Sequence, residues 1–251
     1  PTGLGRLVRD AESLGYRLVA IDPRHIDTLP ENTAILLIAG PRTDYGEHSQ
    51  ALISRYLAGG GPLLWLAGDH GLPDFLASGL GIGTLPGTVV DAAAAAHGLE
   101  SPDNAIVSDY PAALMPQTPE RHSVLKRSRA LTFRESDDWR LKARLQSSPR
   151  SWNETGELRG QLRRDPELGE QPGPHTVALA LQREQAQGQQ RMVIVGNSQF
   201  IGNDQIGQSG NMALAVGLLR WLSANDGLGG TATAQDLDID WSPQLAAMIA
   251  V

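Results

Sequence analysis

Two side chains that could carry out catalysis, Asp69 and His70, directly follow an apolar run at residues 63–67. An aspartate can act as a nucleophile and a histidine as a base, so the pair is a candidate for hydrolytic chemistry. The arrangement resembles a nucleophile elbow, but Asp-His stands where hydrolases of that design carry Ser or Cys. The alternative is structural: Gly68 permits a turn, and Asp69 caps a short helix over residues 73–80.

A second set of candidates lies in the polar stretch that follows the apolar run 192–195 and precedes a helical pattern beginning at residue 211. Amide and hydroxyl groups can bind a ligand but are poor general bases. Residues of these types also commonly form turns and cap helices, which is the alternative interpretation. The binding candidates in this stretch are Asn197, Ser198, Asn203 and Asn211.

The composition limits the classes of function. The formal net charge of -7 argues against a nucleic-acid partner, which would require clustered Lys and Arg. The chain has no cysteine, which excludes disulfides, thiolate nucleophiles and cysteine-ligated metals. Its six histidines are scattered without paired metal-ligand spacing, and its glycine runs lack a phosphate-loop signature, so we predict neither a metal site nor a cofactor. The histidines are His25, His48, His70, His97, His122 and His175.

Basic residues are concentrated in two places. The default interpretation is a solvated face, because acidic residues are interleaved with the first group. The rival interpretation is contact with anionic lipid headgroups or with a charged partner. The first group is Arg121, Lys126, Arg127, Arg129 and Arg134, and the second is Arg159, Arg163 and Arg164.

The apolar pattern predicts an α/β fold. Helical and strand-like segments alternate over residues 4–67, which predicts a three-layer, mostly parallel, doubly wound sheet. A strand at 176–182 is expected to lie antiparallel beside residues 192–195, followed by a helix over 211–222.

The remaining segments are predicted to be less regular. Residues 1–222 form a single α/β domain with an irregular insert at about 92–175, within which 147–171 reads as an exposed, partly mobile loop. Residues 223–251 read as a linker leading into a membrane-proximal helix, because apolarity rises after Trp241. We therefore expect the chain to be a fragment trimmed at a membrane.

Several of these segments together resemble the GldG-type family, the ABC-type uncharacterized transport system proteins related to gliding-motility auxiliary components. The resemblance is clearest over residues 34–67 and 191–222. It implies a flavodoxin-like or class I glutamine amidotransferase-like fold without enzymatic activity. It also implies a periplasmic domain, anchored by flanking membrane helices beside an ABC-2 type permease and ATPase. Family members commonly carry Gly-Asp-Ser where this chain has Gly196, Asn197 and Ser198.

The sequence thus favours a non-enzymatic extracytoplasmic domain of a membrane-anchored ABC-transporter auxiliary subunit. Such a domain would bind a partner subunit, an envelope component or a solute. Two alternatives remain open. One is a hydrolase or amidotransferase-like enzyme that uses Asp69 and His70. The other is a cytoplasmic sugar or nucleotide binder.

Overall fold

The α-helices in the described part of the chain are short, and each of them buries apolar side chains. The computed structural model describes residues 3–41, 44–68, 71–115, 121–136, 138–160, 162–186 and 188–223, and the backbone of 246–250. Over this part of the chain the α-helices are α1 (Gly5–Ser13), α2 (Glu47–Ala58), α3 (Asp74–Leu80) and α4 (Asn211–Ser223).

Strands make up most of the regular structure. The first group is β1 (Arg17–Ile21), β2 (Thr33–Ala39), β3 (Leu63–Leu66), β4 (Ile82–Thr84), β5 (Thr88–Asp91), β6 (Asn104–Val107) and β7 (Ser123–Lys126). The second is β8 (Leu131–Phe133), β9 (Arg140–Gln146), β10 (Ser151–Glu154), β11 (Thr176–Gln185), β12 (Gly188–Val195) and β13 (Ala246–Ala250).

A seven-stranded mixed sheet forms the centre, in the order β1-β13-β2-β3-β12-β11-β9. Only β2 with β3 and β3 with β12 pair in parallel. The other four neighbours in the sheet are antiparallel. Two-stranded antiparallel sheets lie outside it and join β5 to β10, β4 to β8, and β6 to β7.

The parallel strands are the most deeply buried part of the sheet because both of their faces are covered. Leu37 and Leu64 point to the same core as the apolar side chains of α1 and α4. Leu36 and Trp65 point to the opposite core, which α2 and α3 complete. Strands covered on both faces read as continuous apolar runs, which is why β2, β3 and β12 are recognisable in the sequence.

The predicted fold class is wrong. Four of the six strand pairings in the central sheet are antiparallel, so the sheet is not the mostly parallel, flavodoxin-like or amidotransferase-like sheet that we expected. The physical reason is that helix and strand alternation specifies parallel pairing only where a crossover connects neighbouring strands. The antiparallel pairing of β11 with β12, predicted from the polar turn between them, is confirmed.

The region predicted as an exposed loop at 147–171 contains regular structure. Ser151–Glu154 forms β10, which pairs with β5. Asn153 and Glu170 are buried although both are polar, and hydrogen bonds with neighbouring backbone satisfy them. These polar side chains can be buried because their hydrogen bonds are satisfied. The hydrophobicity of the sequence does not indicate such burial.

The C-terminal segment also differs from the prediction. The backbone of Ala246–Ala250 is strand β13 between β1 and β2, where the sequence predicted the start of a helix. A short apolar run fits a helix or a buried strand equally well, so its pattern does not distinguish them. In the part of the chain that the structure describes, no helix has the length and apolar content needed to cross a membrane.

Candidate ligand-binding cleft

A cleft of about 490 Å³ opens at the carboxyl ends of the parallel strands β3 and β12. This volume lies within the range of small-molecule sites, and the carboxyl edge of parallel strands is where open α/β sheets bind ligands. Its lining residues come from five separate segments: Ala67 and Gly68, Thr88, Arg127 and Arg129, Glu157 to Arg159, and Gly196 to Gln199.

Close backbone packing shapes the floor of the cleft. A Cβ atom at Gly68 would lie 2.5 Å from the carbonyl oxygen of Pro41, and one at Gly196 would collide with the carbonyl oxygen of Arg129. Glycine therefore allows the ends of β3 and β12 to approach neighbouring backbone more closely than any other residue could.

One wall is the segment Lys126–Arg129, here called the arginine turn. The Arg129 N–H donates to the carbonyl oxygen of Gly196 at 2.8 Å. The Asn197 side-chain amide donates to the carbonyl oxygen of Lys126. These two bonds attach both ends of the arginine turn to the residues that follow β12.

Arg127 adopts a backbone conformation that is unusual for its type. Its φ is 55°, in the left-handed region that favours glycine. Such a conformation costs on the order of 1–2 kcal/mol per residue and persists where surrounding contacts impose it. Here the Arg127 N–H donates to the carbonyl oxygen of Asp103 at 2.7 Å, and the Asn197 bond fixes the preceding carbonyl.

The guanidinium of Arg127 is hydrogen-bonded through one of its three nitrogen atoms. Its Nε donates to Asp103 Oδ2 at 3.3 Å, and the Asp103 side chain is only 5% exposed while that of Arg127 is 61% exposed. Within the described residues, the terminal amino groups of Arg127 make no hydrogen bond. The buried carboxylate therefore orients a guanidinium whose four remaining N–H groups can bind a ligand.

Arg159 and Ser198 lie elsewhere on the rim. The Arg159 Nε is 3.7 Å from Glu157 Oε2, and both side chains are more than 80% exposed, so this ion pair contributes little stability and exchanges readily. Ser198 is half-buried, and its hydroxyl has no hydrogen-bond partner among the residues that the structure describes. Of the four polar residues singled out after β12, Ser198 is the one whose side chain can bind without breaking an existing bond.

Asn197 is buried, and both ends of its amide are engaged. Its Nδ2 donates to the carbonyl oxygen of Lys126, and its Oδ1 accepts from the Phe200 N–H at 2.9 Å, inside the 3-10 turn at Gln199–Ile201. Asn197 lines the cleft and positions the arginine turn.

Asn203 and Asn211 stabilise other parts of the fold and do not line the cleft. Asn203 Oδ1 accepts from the Arg6 N–H at 2.9 Å and so satisfies a donor in the first turn of α1. Asn211 is fully buried, and its amide pairs with both the N–H and the carbonyl of Val124, at 2.8 and 3.0 Å. The structure therefore brings Asn197 and Ser198 to the cleft but places the other two amides elsewhere.

Asp69 and His70 lie outside the described residues, between Gly68 and Gly71. In the described part of the chain, no group of three or more His, Asp or Glu side chains could hold a metal ion.

Two histidines that look isolated in the sequence form a pair. The ring centroids of His97 and His122 lie 4.0 Å apart, and His122 Nε2 is 3.2 Å from Ser209 Oγ. Burial lowers the pKa of His122, and the neighbouring His97 and Arg121 lower it further. The pair lacks a carboxylate partner among the described residues and is not part of the cleft lining.

Arg127, Arg129 and Arg159 line the cleft but are not among the site residues predicted from the sequence. They belong to two basic groups that the sequence does show, separated by about thirty residues. The sequence does not reveal that β5 and β10 pair and so bring the two groups to one cleft, because register between short strands depends on tertiary context.

Over the described residues, the fold is an α/β arrangement around a mixed, mostly antiparallel sheet, with a cleft at the ends of β3 and β12. A similar solved structure is the mmIFT52 N-terminal domain, with a TM-score of 0.57 and 16% sequence identity, over 78% of this chain and 79% of that chain. At this identity the similarity concerns the fold alone. It supports the correction of the flavodoxin-like prediction. A comparison with curated protein sequences finds no match.

The family model described as "ABC-type uncharacterized transport system" matches residues 5–227. The chain therefore belongs to this family, and the resemblance seen in the sequence is confirmed. It is an auxiliary component associated with an ABC-type transport system.

Proposed function

We propose that this chain is a non-enzymatic recognition domain of a membrane-anchored auxiliary subunit, located on the extracytoplasmic side beside an ABC-2 type permease and its ATPase. The observation that carries the proposal is the cleft at the ends of β3 and β12, within a chain that belongs to a transport-associated family. Through this cleft the domain recognises a solute, an envelope component or a partner subunit.

The chemistry of the cleft supports binding more than catalysis. Its described polar side chains are mainly guanidinium, amide and hydroxyl groups, which donate or accept hydrogen bonds but do not take up a proton near neutral pH. Its one described carboxylate, Glu157, is exposed and paired with Arg159. A general base would require a group whose environment moves its pKa toward neutrality.

The association with a transporter is tested by crosslinking in cells and affinity purification of the tagged, full-length membrane protein. We expect permease and ATPase subunits to copurify. Recovery of the protein without either subunit, under conditions that preserve a known permease–ATPase complex, would contradict the proposed association.

The location is tested by cysteine labelling, because this chain has no cysteine of its own. Glu12 is exposed on α1, so Glu12→Cys in a cysteine-free full-length protein offers one accessible thiol. A membrane-impermeant maleimide should label it in cells whose inner membrane is intact. Labelling only after that membrane is opened would place the domain on the cytoplasmic side.

A further inference from the structure

We infer that the cleft binds an oxyanion group, a carboxylate or a phosphate, of a small solute, with Arg127 as the principal contact. This inference rests on the proposed recognition role of the cleft and gives its ligand a chemical class. Guanidinium groups bind planar carboxylates and phosphates through two parallel N–H donors, which gives both strength and orientation.

Charge is the first argument. The whole chain carries a formal net charge of -7, yet the described lining of the cleft contains three arginines and one glutamate. An arrangement of cations at one concave site of an acidic protein favours an anionic ligand at that site. Screening by water and salt is weaker in a cleft than on an open surface, so the attraction there is stronger.

The backbone of Arg127 is the second argument. Glycine would adopt a φ of 55° without strain, but this position carries an arginine. The Asp103 carbonyl, the Asp103 carboxylate and the Asn197 amide together impose the strained conformation. Strain that several buried groups maintain is characteristic of functional positions. Here the strained backbone accompanies a guanidinium whose Nε is bonded to Asp103 and whose terminal amino groups remain available to a ligand.

Other residues that line the cleft can contribute further contacts to the ligand. The Ser198 hydroxyl can donate to an oxygen atom of the ligand, and Arg159 can exchange Glu157 for the ligand because both side chains are exposed. Arg129 also lines the cleft, where its backbone is bonded to Gly196. The polar donors of the cleft thus come from three segments: the arginine turn, the residues after β12, and Glu157 to Arg159.

The test is calorimetric titration of the 251-residue chain with inorganic phosphate and, separately, with glucuronate as a carboxylate probe. Glucose serves as the uncharged control. We expect at least one anion to bind, with an affinity that falls as salt rises, and glucose not to bind. Binding of phosphate alone or of glucuronate alone supports the inference and identifies the oxyanion type.

Substitutions locate the binding. Arg127→Gln should weaken it about tenfold or more, because a charge-assisted, two-donor contact is lost. Arg144→Gln is the matched control, since it removes the same charge from an exposed position on β9 that does not line the cleft. A thermal unfolding curve confirms that each variant is folded.

The inference is overturned if neither anion binds or if Arg127→Gln and Arg144→Gln weaken binding equally. Neither outcome bears on copurification with a permease or on maleimide labelling. Conversely, a protein that binds phosphate through Arg127 but purifies without transporter subunits would contradict the proposed function and leave the binding chemistry standing.

Discussion

The side-chain amide of Asn197 donates to the carbonyl oxygen of Lys126, which lies 71 residues earlier in the chain. This bond joins the segment that follows β12, a strand that the sequence predicts, to the arginine turn, which the sequence does not predict. The same side chain accepts from the Phe200 N–H. Asn197 is therefore a positioning residue for Arg127.

Asn197→Asp removes the donor of this amide and adds a negative charge. The aspartate keeps an acceptor for Phe200 but presents an oxygen to the Lys126 carbonyl, so the variant should lose about 1–3 kcal/mol of unfolding free energy. Urea denaturation measures the loss, and phosphate titration should show weaker binding because a negative charge enters the cleft. Stability and binding equal to those of the unmodified chain would refute the positioning role.

Because Arg127 and Asp103 form an ion pair, we expect substitutions at these two residues to have non-additive effects on the free energy of unfolding. Arg127→Gly relieves the backbone strain but leaves a buried carboxylate without its cation, so we expect a net loss of about 1–3 kcal/mol. Adding Asp103→Asn removes the buried charge and should recover most of that loss. Denaturation of the two single variants and the double variant measures the coupling. Simple additivity of the two effects would argue against it.

Asn211 should be among the most sensitive polar residues of the fold. Asn211→Leu keeps a similar volume but leaves the N–H and carbonyl of Val124 without their partners, which should cost about 2–4 kcal/mol. Asn203→Ala is the comparison, because it removes only a half-exposed cap of α1 at a cost of about 1 kcal/mol. Equal losses in thermal or urea unfolding would show that the Val124 pairing contributes no more than the cap.

The stability of the protein should fall as the solution becomes acidic. Burial lowers the pKa of His175 below its ordinary value, and a hydrogen bond to the Gln171 carbonyl only partly offsets this. The unfolded chain then takes up a proton at higher pH than the folded protein. Stability is thus fully present above the unfolded pKa of about 6.5 and is lost as the pH falls from there toward the folded pKa.

His175→Gln removes this titration while keeping a group that can donate to Gln171. Its unfolding free energy should change less between pH 7 and pH 5 than that of the unmodified chain, by urea denaturation at each pH. A variant with an unchanged pH dependence would show that His175 does not contribute.

The sequence identifies the buried strands β2, β3 and β12 and the helix α4, because a strand covered on both faces is an uninterrupted apolar run and α4 has a clear helical period. It also identifies the hairpin of β11 with β12 through its polar connection. It misses the direction of most other pairings, which depends on long-range contacts and not on local pattern. For this reason the expected parallel sheet is wrong.

The cleft was only partly predictable for a related reason. Asn197 and Ser198 follow a buried strand, a position from which side chains commonly reach a ligand site. The sequence therefore predicts them as binding residues. Arg127 and Arg159 read as members of solvated basic groups. Both residues line one cleft because of the arginine turn and the pairing of β5 with β10. Several residues buried in this region are polar, so the sequence shows no apolar run there that would predict the pairing.

The central claim is that ligands bind at the carboxyl ends of β3 and β12, and amide chemical shifts measure this most directly. Phosphate is titrated into the ¹⁵N-labelled 251-residue chain, and shift changes are mapped by residue. We predict saturable changes at Gly68, Arg127, Gly196 and Ser198, absent in Arg127→Gln. Changes confined to a smaller cleft lined in part by Arg140, Lys142 and Arg183, or scattered over exposed basic residues, would contradict the claim.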